Sequence, residues 1–263
     1  MPNAKDATVS AKKRILMVGP PGSGKTSQIW SLPGKKFLYL FDPNTMSTIQ
    51  GLDIHYEEFL PDVLDLDASL KGFNKGAKDD TVRGTKREPK VYTNWVEDLN
   101  QRGADGFFSN IDWLCVDGLT FLAKACMQRQ LYINGRYGDI EELGDYRVVG
   151  SKLTSVFDSI CSLDINIYMT GHIDTYQDEK TQAIQTLIRA PGSSRNMLPL
   201  IFTDIWNASY ADGKYHARTK PDKRGLKDIR CSIPGMPELV DVTIPDFPSS
   251  RGGIGAILEK YNR

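Results

Sequence analysis

The chain has 263 residues, 40% of them apolar, enough for one large α/β body with a buried core. Lysine plus arginine equal aspartate plus glutamate at 33 each, which removes any whole-molecule pull toward nucleic acid or membrane and leaves only local charge to consider. Cys115, Cys126, Cys161 and Cys231 are scattered without a C-x-x-C pair, excluding a zinc site or disulfide framework, and no run of residues matches a signal peptide or membrane span. The expectation is a reduced, cytoplasmic protein with no membrane partner.

The predicted elements begin after a polar arm over residues 1–13. Arg14 to Gly19 is a short apolar run ending in glycine, the pattern of a buried strand. Thr26 to Leu32 reads as a helix stopped by Pro33-Gly34, and Phe37 to Phe41 as a second strand closed by Asp42-Pro43-Asn44. Between residues 43 and 108 the apolar pattern weakens, and residues 71–90 read as a flexible basic insertion. Ile111 to Asp117 is an apolar strand ending in an acid, followed by a helix from Leu119 to Leu131. A glycine-rich acidic connector, Asn134 to Asp145, leads into a helix on which Val149, Leu153, Val156, Phe157, Ile160 and Leu163 recur at helical spacing. Ile165 to Gly171 is the next buried strand. This alternation predicts a mostly parallel sheet with helices on both faces. From residue 183 short β-like runs alternate with turns, and Ala211-Asp212-Gly213-Lys214 predicts a hairpin. The expected organisation is an α/β domain over 14–233 with a C-terminal β-hairpin region, then a tail over 234–263.

Gly19-Pro20-Pro21-Gly22-Ser23-Gly24-Lys25-Thr26 satisfies G-x-x-x-x-G-K-[ST] and lies between a predicted strand and a predicted helix, the context that gives this pattern its meaning. Its glycines let backbone N–H groups turn inward around phosphates, and the helix that follows aims its positive end at them. With Ser27, these residues form the expected ATP-binding set. Lys25 is placed to reach the β and γ phosphates, and Thr26 to offer its hydroxyl to Mg²⁺. Asp117, at the end of a neighbouring apolar strand, is the expected second metal-side group; alone it would read equally as the start of a turn with Gly118. His172 follows the strand Ile165 to Gly171, at the edge where parallel sheets bind ligands, and reads either as a γ-phosphate sensor or as a capping residue, with Thr170 the alternative sensor.

The chain resembles phage-encoded RecA-like nucleotide-binding proteins, including the single-strand annealing ATPases of the Sak group. The resemblance rests on Gly19 to Thr26, the Asp42 segment, Val116-Asp117, Asp145-Tyr146 before a long helix, Thr170-Gly171-His172 and Arg218-Thr219-Lys220-Pro221. It covers most of residues 14–233. It implies a RecA-like P-loop NTPase core, ATP with Mg²⁺, assembly of homo-oligomers as rings or filaments, and single-stranded DNA as partner in the host cytoplasm. It also implies that cations on a late strand reach the γ-phosphate of a neighbouring subunit, a role for which Arg218 and Lys220, two apart on a predicted strand, qualify. The water-activating group is open. Gly118 stands where many AAA-type ATPases have glutamate, and Phe41-Asp42-Pro43-Asn44 lacks the glutamate of active recombinases, leaving Asp42, or Glu57 and Glu58, as candidates.

Two segments carry local positive charge. Residues 71–90 hold seven cations against three acids, an excess of +4, and are followed by Tyr92 and Trp95, so they read either as a DNA-contacting loop with stacking aromatics or as a solvated loop. Residues 214–230 hold seven cations against two acids, an excess of +5. They read either as subunit-completing cations or as an edge strand guarded by charge. The loop from Thr175 to Asn196, with Lys180, Arg189 and Arg195, lies on the edge that lines the DNA path in RecA-like proteins. Competing readings are a protein that uses ATP as a structural or regulatory ligand, a small-molecule kinase with a basic lid, and a packaging or helicase motor.

Overall fold

In the computed structural model, the residues described are 12–60, 88–177, 184–192, 194–221, 226–248 and 252–261. Nearly all of the terminal arm expected at 1–13 and of the basic insertion expected at 71–90 lies outside them.

Strand β1, Arg14–Val18, is apolar on both faces and sits in the middle of an eight-stranded sheet. The other strands of the sheet are β2 (Lys36–Leu40), β3 (His55–Glu58), β4 (Trp113–Asp117), β5 (Asn166–Gly171), β8 (Asp204–Ala211), β9 (Lys214–Arg218) and β10 (Leu239–Asp241), in the order β10-β9-β8-β1-β5-β4-β2-β3. All pairings from β8 across to β3 are parallel, and β9 and β10 add antiparallel ladders at one edge. Parallel strands buried on both faces need apolar residues at every position, which is why the runs around Val18, Val116 and Met169 were readable.

The alternation of side chains sorts the core into two layers. Leu16, Val18, Tyr39, Leu114, Val116, Ile167 and Met169 face α3 (Val91–Ala104), α4 (Leu119–Ile133), α5 (Leu143–Cys161) and α6 (Ser194–Ile201). Ile15, Met17, Leu38, Cys115, Tyr168 and Trp206 face α1 (Gln28–Ser31), α2 (Met46–Ile49) and α7 (Gly253–Tyr261). Helices therefore cover both faces, as an α/β P-loop NTPase core requires. A separate antiparallel ribbon, β6 (Ile173–Gln177) with β7 (Ile184–Ile188), follows β5.

Three expectations are corrected. Residues expected as a tail complete the core instead: β10 pairs with β9, and Ile254 and Leu258 of α7 are buried beside Ile29. Gln28 ties this segment down from α1, donating to the Val242 carbonyl at 2.9 Å and accepting from the Ile254 N–H at 2.8 Å. Second, Tyr92 and Trp95 belong to the inner face of α3, where Trp95 is fully buried against Tyr39 and Phe41, so they are not free to stack on bases. Third, the helix expected over Thr26 to Leu32 is a single turn, Gln28–Ser31, preceded by turns.

Candidate nucleotide site

The C-terminal ends of β1, β5, β4 and β2 share one edge of the sheet: Val18 is level with Gly171, and Leu40 with Asp117. The loop Gly19 to Thr26 crosses this edge. Gly22 and Gly24 have φ of +74° and +80°, a region that costs other residues strain. Gly19 lies so close to β8 that a Cβ would sit 2.5 Å from the Ala208 carbonyl oxygen.

Lys25 is 7% exposed, and its Nζ donates to the carbonyls of Gly19 at 3.1 Å and Pro20 at 2.8 Å and to Ser23 Oγ at 3.3 Å. Burial brings its pKa down to about 8, opposed by the charges of Asp117 and Asp42. Its own carbonyl accepts from Tyr168 Oη at 2.8 Å, which anchors the loop to the buried face of β5.

Asp117 collects hydroxyls from three parts of the chain. Its Oδ2 accepts from Thr26 at 3.0 Å and from Thr45 at 2.5 Å, and its Oδ1 from Thr170. Hard oxygen donors of this kind suit Mg²⁺, which is commonly held by one or two carboxylates together with substrate phosphates. Among the described residues no cluster of three His, Cys, Asp or Glu side chains could hold a metal alone, so Thr26 and Asp117 would depend on phosphate oxygens to complete the shell.

His172 Nδ1 lies 3.2 Å from Thr120 Oγ1, and its pKa is lowered by burial first and by the charge of Lys25 second. Asp42 sits beside Asp117, its N–H donating to the Asp117 carbonyl at 3.3 Å, while its carboxylate accepts from the Asn44 N–H at 2.9 Å and from Asn44 Nδ2 at 3.1 Å. Glu57 and Glu58 are on β3, two strands beyond Asp117, about 10 Å at the usual strand spacing. Glu57 is paired with Arg102 at 3.1 Å. Of the three acids weighed for water activation, Asp42 is the one near the loop.

The late cations are arranged differently from the expectation. Arg218 ends β9 level with Asn207 and hence with Val18, but it is held by Glu238 in its own chain. Lys220 lies beyond β9 and is exposed, so the two do not share a strand face. Lys214 pairs with Asp241 at 3.1 Å and Arg189 with Asp174 at 3.1 Å. Part of the excess counted over 214–230 is thus neutralised by acids outside that segment. Lys180, Lys223 and Arg224 lie outside the described residues.

Sequence reasoning missed Thr45. It is 3% exposed, ends the turn opened by Asp42 and donates to Asp117, but a lone threonine carries no motif.

A lysine turned into a glycine-rich loop after the first strand, with a hydroxyl-ringed acid ending a neighbouring parallel strand, defines a P-loop nucleoside triphosphatase. More particularly, the chain belongs to the AAA domain family, whose pattern matches residues 11–227. That membership carries the nucleotide-binding ATPase class, whose domains typically use ATP with Mg²⁺. No curated protein matches the chain. Among the described residues no helix is long and apolar enough to cross a membrane.

Proposed function

We propose that the protein binds Mg·ATP at Gly19 to Ser27, hydrolyses it, and works as a homo-oligomer on single-stranded DNA. The observation that carries the nucleotide part is Lys25: a buried ammonium that touches only neutral oxygens, beside Asp117 and its hydroxyls. A polyphosphate supplies the anion such a cation lacks, and Thr26 and Asp117 supply oxygen to its metal. Asp42 orients the attacking water, and His172 or Thr170 senses the terminal phosphate. Arg218 and Lys220 act on the nucleotide of a neighbouring subunit, which for Arg218 requires release from Glu238. DNA contact is supported by the RecA-like resemblance and by the cations of 71–90 and 214–230. The β6–β7 ribbon at the same sheet edge adds a further surface for it.

A second reading, ATP as a regulatory ligand with little turnover, is favoured by one feature. The Asp42 carboxylate is already engaged by Asn44, and Gly118 adds no acid beside Asp117. Phosphate release measured with Mg·ATP, with and without single-stranded DNA, separates the two. Turnover that DNA stimulates and that Asp117→Asn abolishes supports the first reading. Saturable ATP binding without turnover supports the second, and no DNA binding with or without ATP removes the DNA partner.

A further inference from the structure

The strand order distinguishes the two ends of a nucleotide lying on this loop. Asp117 on β4 and Thr170 on β5 both lie to one side of β1, so the terminal phosphate and its metal belong on that side. A nucleotide lying that way would extend its sugar and base toward the other side, where β8 and β9 run. There the hairpin overruns the sheet edge. Val18, the last residue of β1, is level with Asn207, whereas β8 continues to Ala211 before the left-handed turn at Asp212 and Gly213, with φ of +53° and +76°.

The overrunning part carries two tyrosines directly opposite each other, Tyr210 and Tyr215, with ring centroids 4.8 Å apart. Tyr215 packs on the phosphate loop itself: a Cβ at Gly24 would lie 2.6 Å from its ring. Its backbone is fixed by the neighbouring segment, its N–H donating to Thr243 Oγ1 at 3.0 Å and its carbonyl accepting from the Val242 N–H at 2.8 Å. Tyr210, by contrast, is 57% exposed, the most open of the exposed aromatic rings among the described residues. A single exposed ring needs no explanation. A ring that is exposed, backed by a second ring and joined through it to a phosphate-loop glycine does.

We infer that Tyr210, backed by Tyr215, is the platform on which the base of the bound nucleotide stacks; this rests on the nucleotide reading above. Gly24 then has two roles, adopting the left-handed backbone of the loop and leaving room for the Tyr215 ring, so that the base platform is positioned directly by the phosphate cradle. Stacking on a tyrosine face tolerates any base, because every base presents a π-face. The platform therefore adds affinity and places the base without selecting adenine over guanine.

Calorimetric titrations of the full chain with Mg·ATP and with Mg·tripolyphosphate test this, because only the first carries a base. Tyr210→Ala is expected to weaken ATP by about 5- to 150-fold, the range of lost aromatic stacking, and to leave tripolyphosphate unchanged. Tyr210→Phe, which keeps the ring, is expected to retain ATP affinity. Unchanged ATP affinity in Tyr210→Ala, or equal losses for both ligands, overturns the inference. If the unmodified protein binds neither ligand, the nucleotide reading itself fails; if it binds both and only the Tyr210 pattern is absent, the platform alone fails.

Discussion

Replacing Lys25 by methionine is expected to remove a destabilising buried charge from the ligand-free protein while abolishing its response to ATP. The ammonium is 7% exposed, and burial lowers its pKa from 10.5 to about 8. At about 1.36 kcal/mol per pH unit, that lowering corresponds to roughly 3 kcal/mol of lost folding free energy while the group is charged. The sign follows from which state holds the proton. Below pH 8 folded and unfolded chains both carry the charge and the penalty is full. Between about 8 and 10.5 the folded group is neutral and the unfolded one still charged, so wild-type stability rises with pH. Methionine also gives up the ammonium's bonds to Gly19, Pro20 and Ser23, about 1.5–3 kcal/mol each for a charged donor, which offsets the penalty removed at neutral pH and makes the pH dependence the decisive readout. Urea unfolding of both proteins across this pH range is expected to show wild type gaining on Lys25→Met by roughly 3 kcal/mol. Saturating Mg·ATP is expected to stabilise wild type only. A wild-type-minus-variant difference that stays flat with pH would refute the reasoning, since it would mean an ammonium with an ordinary pKa.

Further substitutions probe the rest of the account. Thr45→Val removes one hydroxyl from Asp117 and is expected to weaken Mg²⁺ in the ATP complex by about 10- to 100-fold, measured by Mg²⁺ titration, with metal-free ATP binding unchanged. Gly24→Ala, at φ +80° and against the Tyr215 ring, is expected to lose about 1–3 kcal/mol in urea unfolding and to weaken ATP. In Gly255→Ala the new methyl would lie 1.7 Å from the Ser31 carbonyl oxygen, so unfolding should register about 1–3 kcal/mol if α7 is part of the core, and almost nothing if it is a tail. Trp95→Ala is expected to cost about 3–5 kcal/mol, as a fully buried core residue does, where a surface stacking residue would register little.

What was legible in the sequence was what repeats locally. The middle positions of β1, β4 and β5 are apolar because both faces are buried, and Asp212-Gly213 announces the hairpin that β8 and β9 form. The phosphate loop was legible because backbone geometry dictates its glycines. β3, His-Tyr-Glu-Glu, was not, since it is an exposed edge strand with no apolar pattern. Helix α3 was obscured because Tyr92 and Trp95 follow a run of cations and can be taken for surface aromatics; only the sheet above them shows that Tyr92, Trp95 and Leu99 form one buried face. The C-terminal segment depends on long-range partners such as Gln28 and Ser31, more than two hundred residues away in sequence, and β10 is only three residues long. Thr45 and Tyr210 take their meaning from neighbours that only folding supplies, Asp117 in one case and Tyr215 with Gly24 in the other.

The most direct test of the central claim is calorimetric titration of ATP with and without Mg²⁺ into the wild-type chain, Lys25→Ala and Asp117→Asn. A single site per chain is predicted, strengthened by Mg²⁺ in wild type, insensitive to Mg²⁺ in Asp117→Asn and lost in Lys25→Ala. Absence of ATP binding in wild type, or binding indifferent to both substitutions, would contradict the account.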